Sequence, residues 1–111
     1  MKQKIIDVIK SLKGEVVFPE LYSIPGIIGD FSMMRGKQCI WSGLSESAIT
    51  ALKDLMRDGK LAFYPCGDIP YIIAGYELNY PISPNTNSVY NNVHWLPVQI
   101  VLIDGRDNDP K

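Results

Sequence analysis

The only histidine in the chain, His94, lies between Val93 and Trp95, and the only thiols are Cys39 and Cys66. A cysteine nucleophile needs a base within hydrogen-bond reach and a carboxylate to orient that base. Cys39 or Cys66 with His94 and Asp104 could supply these parts, yet no local signature sets them together. The plainer reading is an imidazole that packs beside Trp95 and two reduced, partly buried thiols. One histidine and two distant cysteines leave a zinc ion short of ligands. The run Asp104 to Asp109 lacks the spacing and closing glutamate of a calcium loop. Pro25-Gly26-Ile27-Ile28-Gly29 has no Walker lysine, and Ser45, followed by Glu46 and Ser47, is no nucleophile elbow. The sequence therefore points to no catalytic set, no metal site and no cofactor.

Charge is the remaining chemistry. A formal net charge of -1 opposes bulk coating of nucleic acid, so any anionic partner must meet a local patch. Lys2, Lys4, Lys10 and Lys13 open the chain, and Arg35, Lys37, Lys53, Arg57 and Lys60 occupy its middle. No lysine or arginine occurs between Leu61 and Gly105. Of the aromatic residues Tyr64, Tyr71, Tyr76, Tyr80, Tyr90, Trp41 and Trp95, the tyrosines have no cation beside them in sequence, so half-buried sheet positions or a protein-contact face explain the set better than base stacking.

The elements that must position these groups follow from periodicity. At 111 residues the chain has the length of one domain, read here as residues 1–103 with a flexible tail at 104–111. No segment approaches the roughly 20 apolar residues that span a bilayer, and the start turns polar too early for a signal peptide, which favours a cytoplasmic location and no membrane partner. Ile5, Ile6, Val8, Ile9 and Leu12 recur at helical spacing within Lys2 to Lys13, with Gly14 as the stop. From Glu15 to Lys37 the prolines and glycines predict a short strand at Val16 to Phe18, then turns and at most one helical turn. Gln38 to Trp41 reads as a strand ended by Ser42-Gly43. Ser45 then reads as an N-cap, with Glu46 against the helix dipole and Leu44 stapled on Ile49. Ala48, Ile49, Leu52, Leu55 and Met56 form the stripe of the helix it opens, which Asp58-Gly59 closes.

After that helix, residues 61–66 and 69–74 flank Gly67-Asp68 in the manner of a two-residue hairpin, with Tyr64 opposite Tyr71 and Phe63 opposite Ile72. Residues 81–92 are rich in Pro, Asn and Ser and predict an exposed, mobile loop. The run from Val93 to Ile103 is apolar and β-branched, a strand interrupted at Pro97 whose last part, from Val98, is expected to extend the sheet or to pair across a homodimer.

The helix Leu44 to Leu61, its closing Asp58-Gly59-Lys60-Leu61 and the hairpin after it resemble the recognition helix and wing of winged helix-turn-helix proteins, with the lysine-rich first helix in the family's place. The likeness covers roughly residues 1–75 and is one of topology. It implies an α+β domain of two main helices and a small antiparallel sheet with an added C-terminal strand. It further implies a non-enzymatic DNA-binding regulatory protein whose contacts to double-stranded DNA would be Arg35, Lys37, Ser47, Thr50, Lys53 and Arg57. Glu46 and Asp54 put carboxylates on that surface, and Gly67-Asp68 gives the wing no cation. Winged helices also serve as protein-interaction modules, and that alternative assigns contact with a protein partner to Tyr64, Asp68 and Tyr71.

Overall fold

The computed structural model describes residues 1–87 and 89–103. Helix α1 (Lys2–Ser11) buries Ile5 and Ile9, as the spacing requires, and ends as Lys13 and Gly14 both turn to positive φ, which lets the Gly14 N–H reach the Ile9 carbonyl at 2.9 Å. Strand β1 (Glu15–Val16) is shorter than expected because a 3₁₀ helix (Phe18–Leu21) starts at once, its first turn held by the Glu20 carboxylate, which accepts the Val17 N–H at 2.8 Å.

Strand β2 (Ile28–Arg35) occupies a stretch that its glycines and polar residues marked as turns. It forms because β3 (Gln38–Leu44) folds back on it through Gly36, and the register slips near Phe31 and Met33 absorb its irregular sequence. Strand β3 does not stop at Ser42-Gly43 but runs on to Leu44, with Gly43 at φ 95°. Gly29 makes the closest approach in this region: a Cβ there would lie 2.5 Å from the Ser45 Cα.

Ser45 caps α2 (Glu46–Arg57) as expected. Its Oγ accepts the Ala48 N–H at 3.1 Å and donates to the Gly26 carbonyl at 2.6 Å, so one hydroxyl starts the helix and pins the loop before β2. Ala48, Leu52 and Leu55 are buried with Ala51, whereas Ile49 is half-buried and Met56 lies at the exposed edge.

Strand β4 (Leu61–Pro65) follows, but its expected partner is absent. Residues Ile69–Ala74 form a short helix, α3, with Pro70 in its first turn and Gly75 at φ 89° closing it. Proline near a helix start and glycine just past its end suit a helix, and these local preferences override the strand-like run of isoleucines. β4 pairs instead with β6 (Val98–Leu102), so that Phe63 lies opposite Ile100 and Tyr64 opposite Gln99.

The C-terminal strand is therefore not an added edge. It is the centre of an antiparallel sheet ordered β1-β6-β4, while β5 (His94–Trp95) runs parallel to β3 in a second sheet ordered β2-β3-β5. Three α-helices and these two small sheets make the described residues a mixed α/β arrangement, compatible with the expected α+β class. Pro97 lies where the chain passes from one sheet to the other. Leu96 N–H bonds the Cys39 carbonyl at 2.9 Å, and the Pro97 carbonyl accepts from Cys66 at 3.0 Å.

Between the sheets sits a cluster of rings. The Trp41 ring lies 5.0 Å from Tyr71, 6.0 Å from Trp95 and 5.8 Å from Phe18. Tyr71 donates to the Val98 carbonyl at 2.6 Å and accepts the Phe18 N–H at 3.4 Å, and burial pushes its phenol far above the ordinary value, so it remains a donor. The polar loop is also more anchored than its composition suggests. Ser83 is only 1% exposed, its N–H bonds the Trp95 carbonyl at 2.7 Å, and Trp95 in turn donates to Pro81 at 2.8 Å. The tail at 104–111 lies outside the described residues.

Tyr71→Phe removes one hydroxyl from two buried backbone groups and is expected to cost about 1–3 kcal/mol. Urea unfolding measures this as a lower midpoint at unchanged slope, and an unchanged midpoint would show that the hydroxyl contributes nothing.

Candidate functional site

The exposed side of α2 carries Ser47, Thr50, Lys53 and Arg57. The charge of Arg57, unlike that of Lys53, is not left to a ligand. Asp54, half-buried between them, takes Arg57 at 2.9 Å and Lys2 of α1 at 3.4 Å, and Arg57 also reaches Asp58 at 3.5 Å. Desolvation is the largest single influence and raises the Asp54 carboxyl, but the charges and hydrogen bonds of Arg57 and Lys2 together outweigh it and hold the group below the ordinary aspartate value. Exposed ion pairs contribute little stability, yet they cancel the local field that a phosphate would feel. A depression of about 640 Å³ beside α2 is lined by Met1, Lys2, Glu46, Ser47, Thr50 and Asp54, two of them carboxylates.

Arg35, the last residue of β2, and Lys37, in the turn to β3, lie at the tip of a hairpin and line a separate depression with Thr86, Val89 and Tyr90. The six residues grouped for DNA thus divide into a helix face and a hairpin tip.

The face assigned to protein contact needs correction. Tyr64 is exposed on β4 and Asp68 leads into α3, but Tyr71 is wholly buried in the ring cluster and cannot meet a partner. The helical turn that points Tyr71 inward points Ile69, Ile72 and Ile73 outward, and they are 67%, 51% and 81% exposed. Helical spacing of these four residues, read with Pro70 and Gly75, was the signal that could have found this face. Beside it runs a groove of about 540 Å³, lined by Val16, Val17, Pro70, Ile73 and Ala74 with Glu15 and Glu20 at its rim.

The groups with catalytic potential are engaged elsewhere. Burial raises the Cys39 thiol to about 11 and also raises Cys66, so neither is a ready thiolate at neutral pH. The His94 ring stacks on Tyr90 at 3.6 Å and its Nδ1 lies 3.0 Å from the Asn92 carbonyl. Asp104, the third group of the conceivable set, lies outside the described residues. Among the described residues no group of three His, Cys, Asp or Glu could hold a metal ion, and no helix is long and apolar enough to cross a membrane. No protein-family model matches the chain, and no curated protein or solved structure matches it significantly.

Because the folded-state pKa of Asp54 is lowered, its stabilising pairs are present above the ordinary aspartate value of about 3.9 and are lost as pH falls below it. Carboxyl carbon shifts should show Asp54 titrating below free aspartate in the intact protein, and rising toward it in Arg57→Ala.

Proposed function

We propose that the protein is a non-enzymatic protein-interaction module on a winged-helix-like frame, and that it engages a basic segment of a partner protein with apolar anchors. The observation that carries this reading is the exposed isoleucine face of α3 beside an apolar groove edged by Glu15 and Glu20. A contiguous apolar surface with a charged rim is the usual form of a contact patch. Its rim sets the sign of the partner: the groove lining holds two carboxylates and no cation, and no lysine or arginine lies between Leu61 and Gly105. Lysine or arginine flanking apolar anchors is the complementary chemistry.

Support for the winged-helix frame comes from chain order. A capped helix, α2, hands the chain directly to β4, whose antiparallel partner β6 comes later in the sequence than a simple wing would place it. That order also sustains the second reading, in which Ser47, Thr50, Lys53 and Arg57 of α2 meet duplex DNA. The pairing of Arg57 and Lys2 with Asp54 weighs against it.

Two titrations separate these readings. A synthetic peptide of leucines flanked by lysines should shift backbone resonances of α3, β1 and the 3₁₀ helix, its glutamate counterpart should not, and Ile73→Ser or Glu15→Lys should weaken the effect about tenfold or more. Equal response to both peptides, or none, rejects the groove as the contact. Duplex DNA should give no retarded band at physiological salt. A salt-sensitive band lost in Arg57→Ala, at a cost of about 1–3 kcal/mol, would transfer the assignment to α2.

A further inference from the structure

The hairpin tip differs from the cations around Asp54 in one respect that matters to a ligand: Arg35 and Lys37 enter no ion pair among the described residues, whereas Arg57 and Lys2 do. Both cations line a depression of about 410 Å³ with Gly36, Gln38, Thr86, Val89 and Tyr90, and no carboxylate is among these residues. That volume lies within the range of small-molecule sites, roughly 300–1,000 Å³.

Its walls are fixed by a buried polar network. Gln38, almost wholly buried, donates from Nε2 to Ser83 Oγ at 2.9 Å and to the Asn85 carbonyl at 2.8 Å. The Tyr90 hydroxyl donates to the same Ser83 Oγ at 3.1 Å, and the Tyr90 ring stacks on His94 with 11° between planes. His94 is itself held by its N–H bond to the Lys37 carbonyl at 2.9 Å. A satisfied network of this kind specifies one geometry, so the aromatic wall and the cationic turn keep a set relation to each other.

We infer that this depression binds a nucleotide, with its phosphate between Arg35 and Lys37 and its planar base against Tyr90. The guanidinium fork suits two phosphate oxygens, Lys37 adds a second positive charge, and the Thr86 hydroxyl lines the same depression as a further donor. An aromatic wall rewards a flat ring and is indifferent to which base supplies it. The site is independent of the α3 groove, since none of its lining residues is shared.

The test is a resonance titration of the intact chain with adenosine monophosphate, adenosine, inorganic phosphate and a deoxyadenosine octamer. Adenosine monophosphate should shift Arg35, Lys37, Tyr90 and His94 signals and bind more tightly than either adenosine or phosphate. The double variant Arg35→Gln, Lys37→Gln, exposed at a turn and checked for an unchanged fold by its remaining spectrum, should weaken binding about tenfold or more. Tighter binding of the octamer places the nucleotide within a strand and tighter binding of the monophosphate places it free in solution, each supporting the site. Phosphate binding as tightly as the nucleotide removes the aromatic wall from recognition, adenosine doing so removes the cations, and either overturns the inference. No response, or none lost in the double variant, overturns it as well.

Discussion

One hydroxyl group holds the two sheets and α3 in a single arrangement. Tyr71 reaches from α3 to the carbonyl of Val98, at the start of the central strand of one sheet, while its ring packs against Trp41 and Trp95 of the other. Short sheets of three strands cannot enclose a core by themselves. The aromatic cluster gives them a shared interior, and within it Trp95 Nε1 is buried with no hydrogen-bond partner among the described residues. Apolar ring contacts must outweigh that unpaired donor, which costs about 1–3 kcal/mol.

What could be read in the sequence was local. The cap at Ser45, the stripe of Ala48, Leu52 and Leu55, and the glycine after α1 each specify their own few residues, and the structure has them. What could not be read depended on distant partners. Strand β2 exists because β3 lies against it, and nothing between Ile28 and Arg35 announces that pairing. Ile69 to Ala74 reads as a strand from its β-branched run, and the proline at its start together with the inward demand for Tyr71 makes it a helix instead. Ser83 looked like loop residue because composition cannot show that Gln38 and Trp95 will take its polar groups.

The candidate surfaces divide along the same line. Sequence placed the cations of α2 on one face but could not show that Asp54 would pair with Arg57 of that face and with Lys2 of α1. It grouped Arg35 and Lys37 with that helix because both are basic, although they belong to a hairpin whose neighbours come from residues 86–90. Burial reversed the role of Tyr71 and gave its supposed place to three isoleucines. A side chain's availability is a property of its three-dimensional neighbours, so residue type alone orders these surfaces poorly.

Strand β6 has a consequence for how the molecule comes into being. Glu15 and Val16 sit beside it at one end of the sequence and β4 flanks it from the middle, so neither flank has a sheet to join until residues 98–102 arrive. Closing such long loops before any pairing is gained makes folding slow relative to a helical chain of this size. Until residues 98–102 have left the ribosome, the nascent polypeptide carries two strands without their common partner, and unpaired strand edges of that kind invite aggregation.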